Sequence, residues 1–279
     1  MIGQFIAWAV TLIIIGWSAF PLAFRFLPRL ADRGYALSKA LGMIVWGYSF
    51  WLLASLGIIT NTPGSILLTV VIVLLLSLLA LSGGRFDQFK IWIRENKLRI
   101  IGTELVFFFA FAFWAVMRAA NPDISGTEKP MEMAFINAIL RSETFPPLDP
   151  WLSGYAISYY YFGYVLVAMM TKLLGTDPGV SFNLASALWF SLTAVSAYGI
   201  GFDLFAAWRD HVIQRTGEEP RVKPRVAGLL TPFFILVVSN IEGFLEMLHA
   251  RGLFWQRTSE GAWTSRFWSW IDLQELTAP

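Results

Sequence analysis

Residues 66–81 read ILLTVVIVLLLSLLAL: sixteen positions without a charge, with Thr69 and Ser77 as the only polar side chains. A stretch of that kind is built for hydrocarbon, where about 20 mostly apolar residues make one crossing helix. The same reading applies to Phe5–Phe24, Leu41–Ile59, Ile100–Met117, Val180–Trp208 and Val226–Leu248, with Ser153–Leu174 as a seventh candidate. Helices are expected because backbone polar groups in lipid must be satisfied within the segment. The fold class that follows is all-α, a polytopic helical membrane protein.

Composition agrees. The 279 residues are 56% hydrophobic and 14% charged, where a soluble domain carries about a quarter charged residues. A net charge of +2 gives no sign of a nucleic-acid partner, and with no cysteine, disulfides, thiolate zinc sites and cysteine nucleophiles are excluded. The start, MIGQFIAWAV, has neither a basic leader nor a small-residue cleavage site, so the first run reads as a retained span.

Lysines and arginines orient the spans. Arg25, Arg29, Arg33 and Lys39 follow the first run; Arg85, Lys90, Arg94, Lys97 and Arg99 precede the fourth. Both groups are expected in the cytoplasm. That places Met1 and residues 119–150 outside. If Ser153–Leu174 crossed fully, the five bases of Arg209–Arg225 would fall outside, so an interfacial or re-entrant segment is favoured. Residues 1–118 then form four N-terminal spans, 119–150 an acidic outer loop, 151–248 the Tyr-rich segment and further spans, and 249–279 a Trp-rich interfacial tail of a chain that continues further. Glu104 reads as a snorkelling residue.

The outer loop, AANPDISGTEKPMEMAFINAILRSETFPPLDP, carries Asp123, Glu128, Glu132, Glu143 and Asp149 against Lys129 and Arg141. Its middle, from Glu128 to Arg141, has the spacing of a short amphipathic helix with Met131, Phe135, Ile139 and Leu140 on the inner face and Glu128 and Glu132 turned elsewhere. Such a helix with solvated charges is the plain alternative to a site. Against it stand Asp123 just past the fourth span, Lys129 as a phosphate-binding cation beside Glu128, and the prolines of FPPLDPW holding Asp149 at the membrane. Tyr159, Tyr160 and Tyr161 read either as an interfacial belt or, on a helix, as rings lining a cleft. Glu242 and Glu246, one turn apart late in the last run with Asn240 ahead of them, are ionisable groups in an apolar helix and candidates to join the same site.

The stretch NPDISGTEKPMEMAFINAILRSETFPPLDPWLSGYAISYYYFGYVL, with SNIEGF and RFWSWIDL after it, resembles the signature of a family of large multi-pass membrane proteins named for its Tyr-Tyr-Tyr triplet and grouped with the GT-C glycosyltransferases. That resemblance implies a multi-pass protein of the plasma membrane, here its N-terminal portion, transferring sugar from a polyprenyl-phosphate donor at the outer face. Asp123, and after it Glu128, would be the catalytic carboxylates, although many such enzymes have adjacent acids and these are spaced apart. Lys129, or a divalent metal held by the acids, would stabilise the departing lipid phosphate; Asp149, Tyr159–Tyr161 and Glu242 would bind substrate. The rival is a non-catalytic transporter or scaffold whose outer loop docks a partner. A transporter is expected to show paired repeats, and the sequence has no internal repeat.

Overall fold

The computed structural model describes residues 2–152 and 154–271; Ser153 and the last eight positions of the Trp-rich stretch lie outside the described residues. Two compact units emerge, Met1–Pro232 and Phe233–Pro279. The first is a helical bundle. Among the described residues four helices are long and apolar enough to cross a membrane: α1 (Ile2–Phe26), α3 (Pro63–Ala80), α5 (Lys97–Ala120) and α8 (Pro178–Thr216). Between the first two runs α2 (Ser38–Ser55).

α1 buries Trp8, Leu12, Ile15, Ala19, Phe20 and Ala23, a stripe at helical spacing. α2 returns antiparallel along it because two glycines let the backbones approach. A Cβ on Gly42 would stand 2.6 Å from the Ile15 carbonyl oxygen, and one on Gly16 would stand 2.6 Å from Lys39 Cγ. Lys39 is therefore not a loop base, as its position in the basic group suggested. It is 1% exposed on the first turn of α2, and its Nζ meets Glu104 Oε1 of α5 at 2.6 Å. The Tyr35 hydroxyl donates to the same oxygen at 2.5 Å. Glu104 is thus paired inside the bundle, not snorkelling, because its nearest cation comes from another helix.

α5 and α8 lie antiparallel in tight register. Arg118 Nε donates to Asn183 Oδ1 at 2.8 Å, Trp114 Nε1 to Ser186 Oγ at 2.9 Å, and at the other end Arg99 sits over the Phe202 ring at 4.7 Å. The end of α5 and the start of α8 therefore share one end of the bundle. The segment between them starts and ends there. Of the seventh candidate run only Phe162–Leu174 (α7) is helical, about 20 Å at 1.5 Å per residue against a hydrocarbon core of about 30 Å. Tyr161, at its start, accepts at its hydroxyl from Trp51 Nε1 at 3.1 Å. Lys172, near its end, donates to the Asn61 carbonyl at 2.8 Å in the α2–α3 turn. Both ends of α7 are tied to the same end of the bundle. α8 is 39 residues long, about 58 Å, so it outruns the hydrocarbon and carries Arg209 and Arg215 beyond it.

The basic stretch before α5 is also not a loop. It forms α4 (Arg85–Glu95), whose Phe89, Trp92 and Ile93 pack on the core of Phe20, Phe24 and Tyr35. After α8 and the short α9 (Pro224–Ala227), the last apolar run does not make one helix. It breaks into α10 (Leu230–Leu236), a 3₁₀ turn at Val238–Asn240 and α11 (Ile241–Ala250). Polar Ser239 and Asn240 fall at the break.

The second unit, taken alone, contains α11, a hairpin of β1 (Gln256–Arg257) and β2 (Trp263–Thr264), and α12 (Arg266–Ile271). Its centre is Trp268, 2% exposed, whose Nε1 donates to the Leu253 carbonyl at 2.9 Å. That indole is a core residue of its own unit, unlike the interfacial anchor expected of the tail, whereas Trp270 is 80% exposed.

Candidate functional site

The loop that follows α5 is held at both edges. Arg118, in the last turn of α5, donates from Nη2 to the Asp123 carbonyl at 3.1 Å. Asn183 Nδ2 donates to the Pro122 and Gly179 carbonyls. The Asp123 carboxylate is exposed and turns on its own loop, accepting from Ser125 N at 3.1 Å and Ser125 Oγ at 2.5 Å. These bonds, with a smaller contribution from nearby Lys129, hold its carboxyl below the usual aspartate range. Asp123 is therefore ionised at neutral pH. Gly126 and Thr127 then take left-handed backbone, at φ 78° and 51°. That is strained for the β-branched threonine, and it turns the chain into the next helix.

α6 (Lys129–Arg141) is the amphipathic helix expected from the sequence, with Pro130 in its first turn. Phe135, Ile136, Ala138 and Ile139 are its buried face. Its far end is stitched to the α2–α3 turn. Asn61 Nδ2 donates to the Ile139 and Ser142 carbonyls at 2.7 and 2.8 Å, and Asn61 N to the Glu143 carbonyl at 2.9 Å.

Above α6 the chain makes an aromatic cluster. The Phe135 ring lies 5.6 Å from Trp151, 5.6 Å from Tyr159 and 5.7 Å from Tyr164. The Tyr159 and Tyr160 rings are 3.9 Å apart and their hydroxyls bond at 2.5 Å. Tyr160 is 72% exposed. The Tyr159 hydroxyl is pushed up to about 12, first by the bond to Tyr160, then by desolvation, and also by the negative fields of Glu128 and Glu132. Tyr164 points its hydroxyl at Glu132 Oε1, 3.5 Å away. Two carboxylates thus rim a set of tyrosines.

The three consecutive tyrosines do not sit on a helix. They precede α7 in irregular backbone, and they divide. Tyr159 and Tyr160 belong to the cluster, while Tyr161 is turned inward to Trp51. Asp149 is a turn former, its Oδ1 accepting from Trp151 N at 2.8 Å and Leu152 N at 2.9 Å. It also lines a recess of about 410 Å³ with Arg141 and Glu143. Lys129 is half-buried at the start of α6, next to Glu128 in the chain and near enough to Asp123 to contribute to its lowered pKa. Glu242 and Glu246 are exposed on α11 of the second unit. Glu132 was paired with Glu128 on the outward face from the sequence but given no site role, and Tyr164 was not singled out. Among the described residues no three His, Asp or Glu side chains converge as a metal-binding set.

A second hollow, about 670 Å³ and almost wholly apolar, opens beside Asp123 between the starts of α1 and α8 and the end of α5. Pro122 and Ile124, the neighbours of Asp123, line it together with Arg118. No curated protein and no solved structure gives a significant match to the chain. Residues 45–272, running from α2 through the acidic loop and the tyrosines to α12, match the family described as uncharacterized membrane protein, DUF2298, and the chain belongs to that family.

Proposed function

We propose that the chain is a glycosyltransferase-like membrane protein that moves a sugar from a polyprenyl-phosphate donor at the outer face of the plasma membrane. The observation that carries this reading is the meeting, on one end of the bundle, of the Glu128 and Glu132 carboxylates with the rings of Tyr159, Tyr160 and Tyr164. Carboxylates orient and deprotonate sugar hydroxyls, and aromatic faces suit the apolar C–H face of a sugar ring. The resemblance of the EKPM…DPW…YYYFGY stretch to the Tyr-Tyr-Tyr family, grouped with the GT-C glycosyltransferases, supports the same reading.

The step is a displacement. Asp123, or Glu128 on the cluster side, takes the proton of the acceptor hydroxyl as its oxygen bonds to the anomeric carbon. The bond from that carbon to the phosphate oxygen breaks, and the lipid phosphate leaves with the electron pair. Lys129, adjoining Glu128 in the chain, meets that developing charge. Tyr159 and Tyr160 hold the sugar; Asp149 shapes the turn that carries Trp151.

The test is transfer from a radiolabelled polyprenyl-phosphate sugar in membranes bearing the intact protein. Asp123→Asn and Glu128→Gln remove charge and basicity while keeping shape. Loss of the general base should cost about 10²–10⁴-fold in rate, with insertion and abundance unchanged. Near-normal transfer in both variants would overturn the catalytic reading and leave the loop as a docking surface for a scaffold or transporter.

A further inference from the structure

The hollow beside Asp123 has a composition that sugar chemistry does not call for. Its walls are Phe5 of α1, Ala112 and Val116 of α5, and Val180 and Leu184 of α8. From Ala112 to Ala119 the wall runs about 10 Å along α5. Small residues, Ala112 and Ala115 of α5 and Gly179 of α8, leave the space between the helices. Its edges face outward from the bundle: Ile2 is 79% and Val116 67% exposed, and on a spanning helix such faces meet lipid.

At the mouth stands one fixed cation. Arg118 Nε is bonded to Asn183 Oδ1 and Nη2 to the Asp123 carbonyl. Both partners are neutral acceptors, so the guanidinium is positioned without being neutralised. Among the described residues Arg118 has no ion-pair partner, and Nη1 keeps its protons for something else. The two nearby acids are committed elsewhere: Asp177 Oδ1 accepts from Gly179 N and Val180 N as the cap of α8, and Asp123 accepts from Ser125. A snorkelling arginine at a helix end would account for the depth of the charge, but not for its clamping by an amide side chain of another helix at the head of an apolar slot.

We infer that this groove seats one acyl chain of an anionic phospholipid whose phosphate bonds to Arg118. Guanidinium is the side chain whose fork matches phosphate oxygens, and the apolar walls match a chain leading down from that phosphate. Free phosphate would leave the walls uncovered. The seat is independent of sugar transfer and would hold a structural or regulatory lipid beside Asp123 whether or not the loop is catalytic.

The test is lipid retention by the whole protein, extracted into neutral detergent from nanodiscs of phosphatidylcholine with a minor share of phosphatidylglycerol carrying a photoactivatable acyl chain. Wild type should retain phosphatidylglycerol preferentially and crosslink within residues 112–119 and 179–184. Arg118→Gln should lose that preference by about tenfold or more, the scale of one charged hydrogen-bond set. Arg118→Lys, which keeps the charge without the fork, should fall between. Ala112→Phe should fill the slot and abolish the crosslinks with Arg118 intact. Millimolar inorganic phosphate should not displace the lipid. The inference is overturned by equal retention of the two phospholipids in wild type, by unchanged preference in Arg118→Gln variants that melt like wild type, or by displacement with inorganic phosphate alone. Stronger retention of a polyprenyl phosphate than of phosphatidylglycerol would also overturn it, in favour of a donor seat. Glu128→Gln should leave every arm unchanged, which separates this test from that of the proposed activity.

Discussion

Removing the Glu104 carboxylate should damage the bundle more than removing the lysine it pairs with. In wild type, Glu104 Oε1 receives both the Lys39 ammonium at 2.6 Å and the Tyr35 hydroxyl at 2.5 Å. Lys39 is 1% exposed and Glu104 23%. Glu104→Gln leaves a buried ammonium whose remaining partners are the Phe107 and Tyr35 ring faces at 5.1 and 5.6 Å; breaking a buried pair this way costs about 3–5 kcal/mol. Lys39→Met fills the same volume with an apolar chain and leaves Glu104 with the Tyr35 hydroxyl and access to water, at about 1–2 kcal/mol. The double variant has no stranded charge and should resemble Lys39→Met, giving a coupling of about 3–5 kcal/mol across the cycle. The measurement is reversible unfolding of the four proteins in mixed micelles, followed by helical circular dichroism. Equal and additive losses for the two single variants would refute the reasoning, because they would mean that the pair is hydrated and that Lys39 is not confined by Gly16.

Three further outcomes are expected. Gly42→Ala should destabilise the bundle by about 1–3 kcal/mol, since its Cβ would meet the Ile15 carbonyl of α1 at 2.6 Å; melting in detergent reads this, and an unchanged midpoint would show that α1 and α2 are less close. With no native cysteine, Ser125→Cys should react with an impermeant outside reagent while Gln88→Cys and Thr216→Cys should not; reaction at Thr216→Cys would require α7 to cross. The Asp123 carboxyl should titrate below the ordinary value of about 3.9, and Ser125→Ala should bring it back up. Because the folded value is depressed, any stability linked to it is present above the unfolded pKa and fades as pH falls through the folded one; a carboxyl carbon shift series reads both proteins, and identical midpoints would discount the Ser125 bonds.

The apolar runs that form α1, α2, α3, α5 and α8, and the helix α6, were legible because each rests on residues close in sequence. The inward set of α6, with Phe135 and Ile139, needed only helical spacing, and the Asp123–Ser125 turn is equally local. α4 was missed although its signal was present: Phe86, Phe89 and Ile93 recur at helical intervals among the charges that drew attention. Lys39 and Glu104 could not be matched in advance, being 65 positions apart and each unremarkable among its neighbours. The tyrosine triplet misled for a related reason. Helical spacing was assumed through it, but Trp51, from another helix, draws Tyr161 inward while Tyr159 and Tyr160 stay with Phe135. Glu132 joins Tyr164 across 32 residues, and the lipid groove draws on three helices, so neither had a pattern along the chain.

The antiparallel register of α5 with α8 also sets a timetable for biogenesis. Arg118 must wait for Asn183, 65 residues later, and at about 5–20 residues per second that delay is roughly 3–13 seconds of synthesis. During it α1, α2 and α3 can already be packed together, since their contacts are with near neighbours in the chain. α5 can by then pair Glu104 with Lys39, but Trp114 still lacks Ser186. Arg118 has the Asp123 carbonyl of its own loop but not Asn183, so headgroup phosphate can reach its guanidinium before α8 is made.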